Sequence, residues 1–430
     1  MIYALVTICI CIICFFHGLK REKTIVNPIS FFCGLWIMIL FFSILNLHTL
    51  FLPEYSTYEI IFWGILSFIL SYYTFRYIKL GKKITLSTRK NNNRLSLNFK
   101  LMYFLTIVCC FFALLDLINL SRQTPDWSMR TIQQLLRSEY FQSNSSQWLN
   151  MLSFLVIQPI ALAIPALAAS DYWIGKKDRK LMILSLIMMV LRVLSTGNRG
   201  IIIIFFIYFL VAGLLVNSSK VNTIIKILKK KKQRNKRLII YVALVGIALF
   251  VFMTVFSRQS TLFRNVYLNF AMPPSMLEVW INEVEYQNLI GFGMASLNGF
   301  INPIFYILRN IFGLQTPVHF QNIYDLTMLT DVRWVRIGDE IIANAYVTGF
   351  WFLYLDGRIF GVIIGTFLYG AILAKSFTKT IKTLSVKQVS LYCMHFHGLF
   401  FSFIRIPFTQ VRFVIALLFI SLISFQTEKK

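Results

Sequence analysis

Ser195-Thr196-Gly197-Asn198-Arg199-Gly200, followed without a break by Ile201-Ile202-Ile203-Ile204-Phe205-Phe206-Ile207-Tyr208-Phe209-Leu210-Val211-Ala212-Gly213-Leu214-Leu215-Val216, decides the fold class. An uncharged run of this length, rising about 1.5 Å per residue as a helix, crosses most of a hydrocarbon core roughly 30 Å thick. Comparable blocks lie near 1–17, 30–50, 58–76, 101–120, 149–170, 181–196, 238–257, 357–375, 388–405 and 411–426. With 57% hydrophobic and 14% charged residues over 430 positions, and a mean hydropathy of +0.68, the chain is too apolar for soluble domains. The expectation is an all-α polytopic membrane protein with about eleven transmembrane helices and one large, partly helical external loop. Its parts are an N-terminal membrane bundle over 1–257, the loop over 258–356 and a C-terminal bundle over 357–430.

Cysteine usage excludes two further classes. Cys9, Cys11, Cys14, Cys33, Cys109, Cys110 and Cys393 all fall inside apolar blocks, so neither a disulfide framework nor a metal set with loop spacing is expected. The first block has no basic region before it, and Lys20, Arg21 and Lys23 follow it. It reads as a retained span with its N-terminus outside and the chain's C-terminus in the cytoplasm.

Charge separates by residue type. Under the positive-inside rule every lysine falls in a segment assigned to the cytoplasm, including the run Lys229 to Arg237, which reads as topogenic and lipid-facing rather than as a nucleic-acid site. The basic residues left over are Arg122, Arg130, Arg137, Arg192, Arg199, Arg258, Arg264, Arg309, Arg333, Arg336, Arg358, Arg405 and Arg412, all on the outer side or near outer span ends. A cation suffices for topology, whereas a guanidinium adds a planar fork of donors that matches phosphate oxygens. The outer face therefore reads as built to hold phosphate or carboxylate. The competing reading pairs these arginines with outer acids such as Glu54, Glu278, Glu283, Glu285, Asp331, Asp339, Glu340 and Asp356.

Chemistry is expected in the long segment from Arg258 to Asp356, because long loops in compact proteins are usually functional. Within it Asn288 to Phe312 suits an amphipathic helix or re-entrant element at the interface. A thirteen-span alternative would leave Leu314 to Glu340 in the cytoplasm with no lysine. Arg199, in its glycine-flanked turn, is expected at headgroup depth, with Arg192 two helical turns below. Candidate ligands for phosphate are thus Arg192, Arg199, Arg258, Arg264, Arg333 and Arg336, with Asp356 in the same set. The candidate acid or base groups are His319, the one histidine of the long segment, Asp325, Asp331, Asp339, Glu340 and the acids between Leu277 and Glu285, with His319 and the Asp339-Glu340 pair ranked above the acids at 278–285. Arg333, Arg336 and Asp339 at three-residue spacing are expected to share a helical face. His395 and His397 point apart on a helix and read as packing residues. No zinc-hydrolase, nucleophile-elbow, Walker or dinucleotide signature stands in a convincing setting, and no cofactor or metal is expected.

At this point the chain resembles the bacterial oligosaccharide repeat-unit polymerases, the O-antigen or capsule polymerases of the Wzy type. The residues that carry the resemblance are Asn27-Pro28-Ile29-Ser30-Phe31; the Ser195 to Gly200 turn; Gly291-Phe292-Gly293-Met294 with Asn302-Pro303; and Asn344-Ala345-Tyr346-Val347-Thr348 leading to Tyr354-Leu355-Asp356-Gly357 and Gly361. Asp356-Gly357-Arg358 departs from the family's usual Asp-Phe-Gly and leaves the role of Arg358 open. The resemblance implies glycosyl transfer at the outer face of a bacterial plasma membrane, from one undecaprenyl-diphosphate-linked oligosaccharide to another. The implied partners are those lipid-linked donors and acceptors, membrane lipids, a flippase and a chain-length regulator. Trp127, Tyr140, Trp148, Trp280, Tyr286 and Trp334 would stack on sugars or form interfacial belts. A ligase shares this architecture, a flippase would show internal repeats and midplane binding residues, and a membrane acyltransferase would use His395 or His397.

The topology makes a direct prediction. Single cysteines at Ser218 and Gln321 will label from opposite sides of the membrane; labelling of both from one side overturns the scheme.

Overall fold

Backbone N–H and C=O groups in lipid must be satisfied within the chain, and the apolar blocks meet that demand as helices. The structure, a computed structural model, describes residues 2–77, 95–123, 147–198, 200–218 and 262–427. In chain order its helices are α1 (Ile2–Glu22), α2 (Pro28–Leu45), α3 (Tyr55–Tyr77), α4 (Phe99–Gln123), α5 (Gln147–Leu152), α6 (Gln158–Ile174), α7 (Arg179–Thr196) and α8 (Gly200–Asn217). Then follow α9 (Leu262–Ala271), α10 (Pro273–Gln287), α11 (Asn298–Phe312), α12 (Val318–Val332), α13 (Thr348–Thr383), α14 (Val386–Phe400) and α15 (Val411–Leu422). A π-helical stretch, Ser153–Ile157, joins α5 to α6. A 3-10 turn, Pro407–Thr409, and two small antiparallel ladders are also described: β1 (Leu95–Leu97) with β4 (Phe425–Thr427), and β2 (Val335–Arg336) with β3 (Ile342–Ala343).

Seven described helices are long and apolar enough to cross a bilayer: α1, α2, α3, α4 to Leu120, the α5–α6 stretch from Trp148, α8 and α13. The chain is therefore a multi-pass helical membrane protein. The block at 181–196 forms α7, which Arg179, Lys180 and Arg192 make more polar; those at 388–405 and 411–426 form the shorter α14 and α15. The expected span at 238–257 and the basic run 229–237 lie outside the described residues. Helix α13 begins at Thr348, ahead of the block expected from 357, and is interrupted at Gly357 and Arg358.

Local chemistry sets the helix ends. Asn27 caps α2 by accepting the Ser30 N–H at 2.8 Å, with Pro28 at the first helical position. Asp178 caps α7 through the Lys180 and Leu181 N–H groups at 2.9 and 3.1 Å. Gly197, at φ 63°, ends α7 in the left-handed conformation that glycine adopts without strain. Helix α8 starts again at Gly200, whose N–H donates to Asn198 Oδ1 at 2.9 Å.

The chain divides into two compact units, each discontinuous in sequence. The first comprises Met1–Leu86, Thr261–Thr378 and Gly398–Val411. Its apolar core joins α2, α3 and α13: Phe32 stacks on Phe68 at 3.9 Å and Trp36 on Phe350 at 4.9 Å. Ser67 donates to the Ile363 carbonyl at 2.6 Å and Ser71 to that of Phe367 at 2.5 Å. Glu22 and Arg76 form a buried two-pronged ion pair at 2.9 and 3.0 Å, with Thr378 and Tyr77 completing the hydrogen bonds. Loop 46–54 is stitched to the segment beyond residue 262: Phe51 N–H donates to Ile337 O at 2.9 Å, and Ser275 Oγ to Phe51 O at 2.8 Å. Glu54 N–H donates to Glu278 Oε2 at 2.9 Å.

The second unit comprises Ser87–Ser260, Lys379–His397 and Arg412–Lys430. In it Asp171 accepts the backbone N–H groups of Lys176 and Asp178, both at 3.0 Å, and closes the turn after α6. Trp173 Nε1 donates to the Phe209 carbonyl at 3.0 Å, tying α6 to α8.

Burial raises the Glu278 carboxyl above its ordinary value of 4.5; the Glu54 N–H offsets this in part, and the Glu54 carboxylate adds to it. A raised acid loses stability on ionising, so the penalty is absent below 4.5, develops as pH rises through the raised value, and is complete at neutral pH. Glu278→Gln keeps an acceptor for the Glu54 N–H. It will raise the melting temperature in detergent at neutral pH, and this gain will vanish as pH falls toward 4.5.

Candidate functional site

Residues 291–296 make a turn that leads into α11, and the break in α13 grips it. Gly291 N–H donates to Leu355 O at 2.8 Å and Phe292 N–H to Asp356 O at 3.0 Å. The buried Asp356 carboxylate then accepts the Ala295 N–H at 2.9 Å on one oxygen and the Ser296 N–H at 2.8 Å on the other. Gly291 is required by close approach, since a Cβ there would lie 2.4 Å from Asp356 Oδ1. Two segments that carry the resemblance, Gly291 to Met294 and Tyr354 to Gly357, are therefore one structural element. Downstream, a Cβ on Gly299 would lie 2.6 Å from Phe408 O, so α11 starts directly against the 407–410 backbone.

His319 stands at the same turn. Its Nε2 lies 2.9 Å from Ile290 O, and its ring centroid is 6.3 Å from that of Phe292. A carbonyl oxygen can only accept, so Nε2 carries the hydrogen and Nδ1 of the neutral ring keeps a lone pair. The residue is exposed. Helix α10 presents two carboxylates to other elements. Glu285 accepts the Tyr354 hydroxyl at 2.6 Å and lies 3.5 Å from Arg358 Nε; Glu283 pairs with Arg333 at 3.2 Å.

The expected face of Arg333, Arg336, Asp339 and Glu340 is not helical. Helix α12 ends at Val332, Arg333 is extended, and Arg336 lies in β2. Gly338 bridges Leu50, and a Cβ on it would lie 2.7 Å from Thr49 O, a contact that spacing along the chain cannot reveal. Arg336 turns back on its own loop, donating to Gly338 O at 3.1 Å and Asp339 O at 2.7 Å. Asp339 and Glu340 have exposed side chains. Asp356, expected among the ligands, is committed to backbone amides and acts as a clamp.

Acids pair with three of the described arginines expected on the outer side. Arg333, Arg358 and Arg405 pair with Glu283, Glu285 and Asp331. Arg192 on α7 faces Asp116 of α4 within Coulomb range. Arg264 is half-buried on α9. Arg199 and Arg258 lie outside the described residues, as do Trp127 and Tyr140. Trp280 is buried, and its carbonyl accepts the Trp351 Nε1–H at 2.9 Å, so it cannot stack on a sugar; Trp148, Tyr286 and Trp334 are exposed. His397, in the second unit, is buried and pairs with the Tyr208 hydroxyl at 3.0 Å. Glu285, one of the acids expected at 277–285, and Tyr354, quoted for the resemblance, join the site through contacts far apart in the chain.

No protein-family model matches this chain, nor does any curated protein or solved structure.

The clamp predicts a coupled pair. Asp356→Ala leaves two backbone donors without their acceptor, at about 1–3 kcal/mol each. Gly291→Ala drives a methyl into the carboxylate. The double variant removes that clash, so its loss of thermal stability will match Asp356→Ala alone instead of adding the two.

Proposed function

We propose that the protein is a membrane glycosyltransferase that polymerises undecaprenyl-diphosphate-linked oligosaccharide repeat units into surface polysaccharide, O-antigen or capsule, at the outer face of a bacterial plasma membrane. The observation that supports this most is the meeting of the Gly291 turn, Asp356 and His319, because residues quoted for the polymerase resemblance converge there with an exposed imidazole. The proposal includes eleven spans, an outside N-terminus and a cytoplasmic C-terminus.

The chemistry follows from the groups available. The acceptor hydroxyl loses its proton to His319 Nδ1 as its oxygen attacks the donor's anomeric carbon. The bond to the lipid diphosphate breaks, and arginines neutralise the charge that develops on the leaving group in place of a metal ion. Arg199, Arg258 and Arg264 are proposed for that role with Arg333, whose pairing with Glu283 is exposed and exchangeable. Asp339 and Glu340 remain alternative bases.

Cells lacking the protein will accumulate single lipid-linked repeat units, and His319→Ala at normal protein abundance will reproduce that accumulation. Loss of all surface glycan would instead mark a flippase, and long chains left unattached would mark a ligase.

A further inference from the structure

The break in α13 holds an arginine where the backbone favours glycine. Gly357 has φ −169° and ψ 33°, an extended φ open to any residue, and a Cβ placed on it would meet nothing within 4 Å. Arg358 has φ 53° and ψ −145°, where an L side chain is strained. The backbone alone would select the opposite order. Strain retained at a side chain that is not glycine implies that the side chain is needed there.

The surroundings show what for. The Arg358 side chain is 22% exposed. Its Nε is 3.5 Å from Glu285 Oε1, a long contact, and that same oxygen already accepts the Tyr354 hydroxyl at 2.6 Å. The guanidinium carbon lies 5.6 Å from the Tyr354 ring. Nη1 is buried and makes no hydrogen bond. A guanidinium has five N–H donors, and a buried donor left without an acceptor is costly, so this group is short of acceptors while its side chain keeps 22% exposure beside the break.

We propose that Arg358 is an oxyanion ligand, binding a phosphate group at the α13 break with Glu285 as the internal anion that the ligand displaces. The planar fork suits two phosphate oxygens. In the reading given above, that group belongs to the diphosphate of a lipid-linked sugar; the proposal rests on that reading only for the carrier, since oxyanion binding itself requires no polymerase.

The test uses the purified full-length protein in neutral-lipid nanodiscs, with inorganic pyrophosphate as probe and the melting temperature as readout. Wild type will be stabilised by pyrophosphate. Glu285→Gln will bind it more tightly, having lost the competing carboxylate. Arg358→Gly will melt at or above the wild-type temperature without ligand, because strain is relieved, and will lose the response. Arg358→Lys will bind at least about tenfold more weakly, since it keeps the cation and loses the fork. If Arg358→Gly does not fold, the lysine and glutamine variants carry the test. No response in wild type, or equal binding by Arg358→Lys and wild type, overturns the proposal. A second arm with farnesyl diphosphate separates sources: binding tighter than that of pyrophosphate, and lost with Arg358, assigns a lipid-linked ligand, and equal affinity assigns free phosphate. Polymer of normal length in cells that lack the protein, beside pyrophosphate binding lost with Arg358, would count against the polymerase chemistry and leave this site standing.

Discussion

A carboxylate taken out of water must find hydrogen-bond donors, and Asp356 finds them in the backbone N–H groups of Ala295 and Ser296. Bonds to a charged acceptor contribute roughly 1.5–3 kcal/mol each, so this one side chain holds the 291–296 turn in place. Much of the first unit's arrangement descends from that grip. The turn sets where α11 begins, against Phe408 and Gln410. It also sets the Ile290 carbonyl that orients His319. The same residue lies next to the helix break, so the clamp and the strained Arg358 are neighbours in the chain.

The membrane helices were legible because the bilayer imposes a length on any uncharged run, and that constraint acts within each block alone. Gly197 announces the end of a helix for the same local reason, without reference to the rest of the chain. The stretch from Arg333 to Glu340 was misread because its conformation is imposed from a distance, by the pairing of Gly338 with Leu50 and of β2 with β3. The role of Asp356 was hidden likewise. A carboxylate beside a cluster of arginines looks like part of a ligand set, and only the fold shows that backbone amides occupy both of its oxygens. Which acid meets which arginine was also unreadable, since Glu283 reaches Arg333 and Asp331 reaches Arg405 across separate elements. The competing reading of the outer arginines, that they pair with acids, describes Arg333, Arg358 and Arg405.

Pairing does not disqualify an arginine from ligand binding; the depth of the pair decides. Arg76 and Glu22 have side chains 8% and 0% exposed and share two hydrogen bonds. Removing one partner of such a buried pair costs about 3–5 kcal/mol, because a charge is left stranded in low dielectric. No phosphate arriving from water would displace Glu22. Arg333 and Glu283 have side chains 54% and 24% exposed. Exposed pairs of this kind contribute roughly 0–1 kcal/mol, so exchanging the carboxylate for a doubly charged phosphate loses little and gains a stronger acceptor. Arg358 lies between these limits in exposure, yet its contact with Glu285 is longer than either and leaves Nη1 unsatisfied. Its pairing is thus the weaker claim on a guanidinium that the backbone is strained to present. An anion that binds more strongly than a carboxylate would therefore exchange most readily at the loosely held pairs, Arg333 with Glu283 and Arg358 with Glu285.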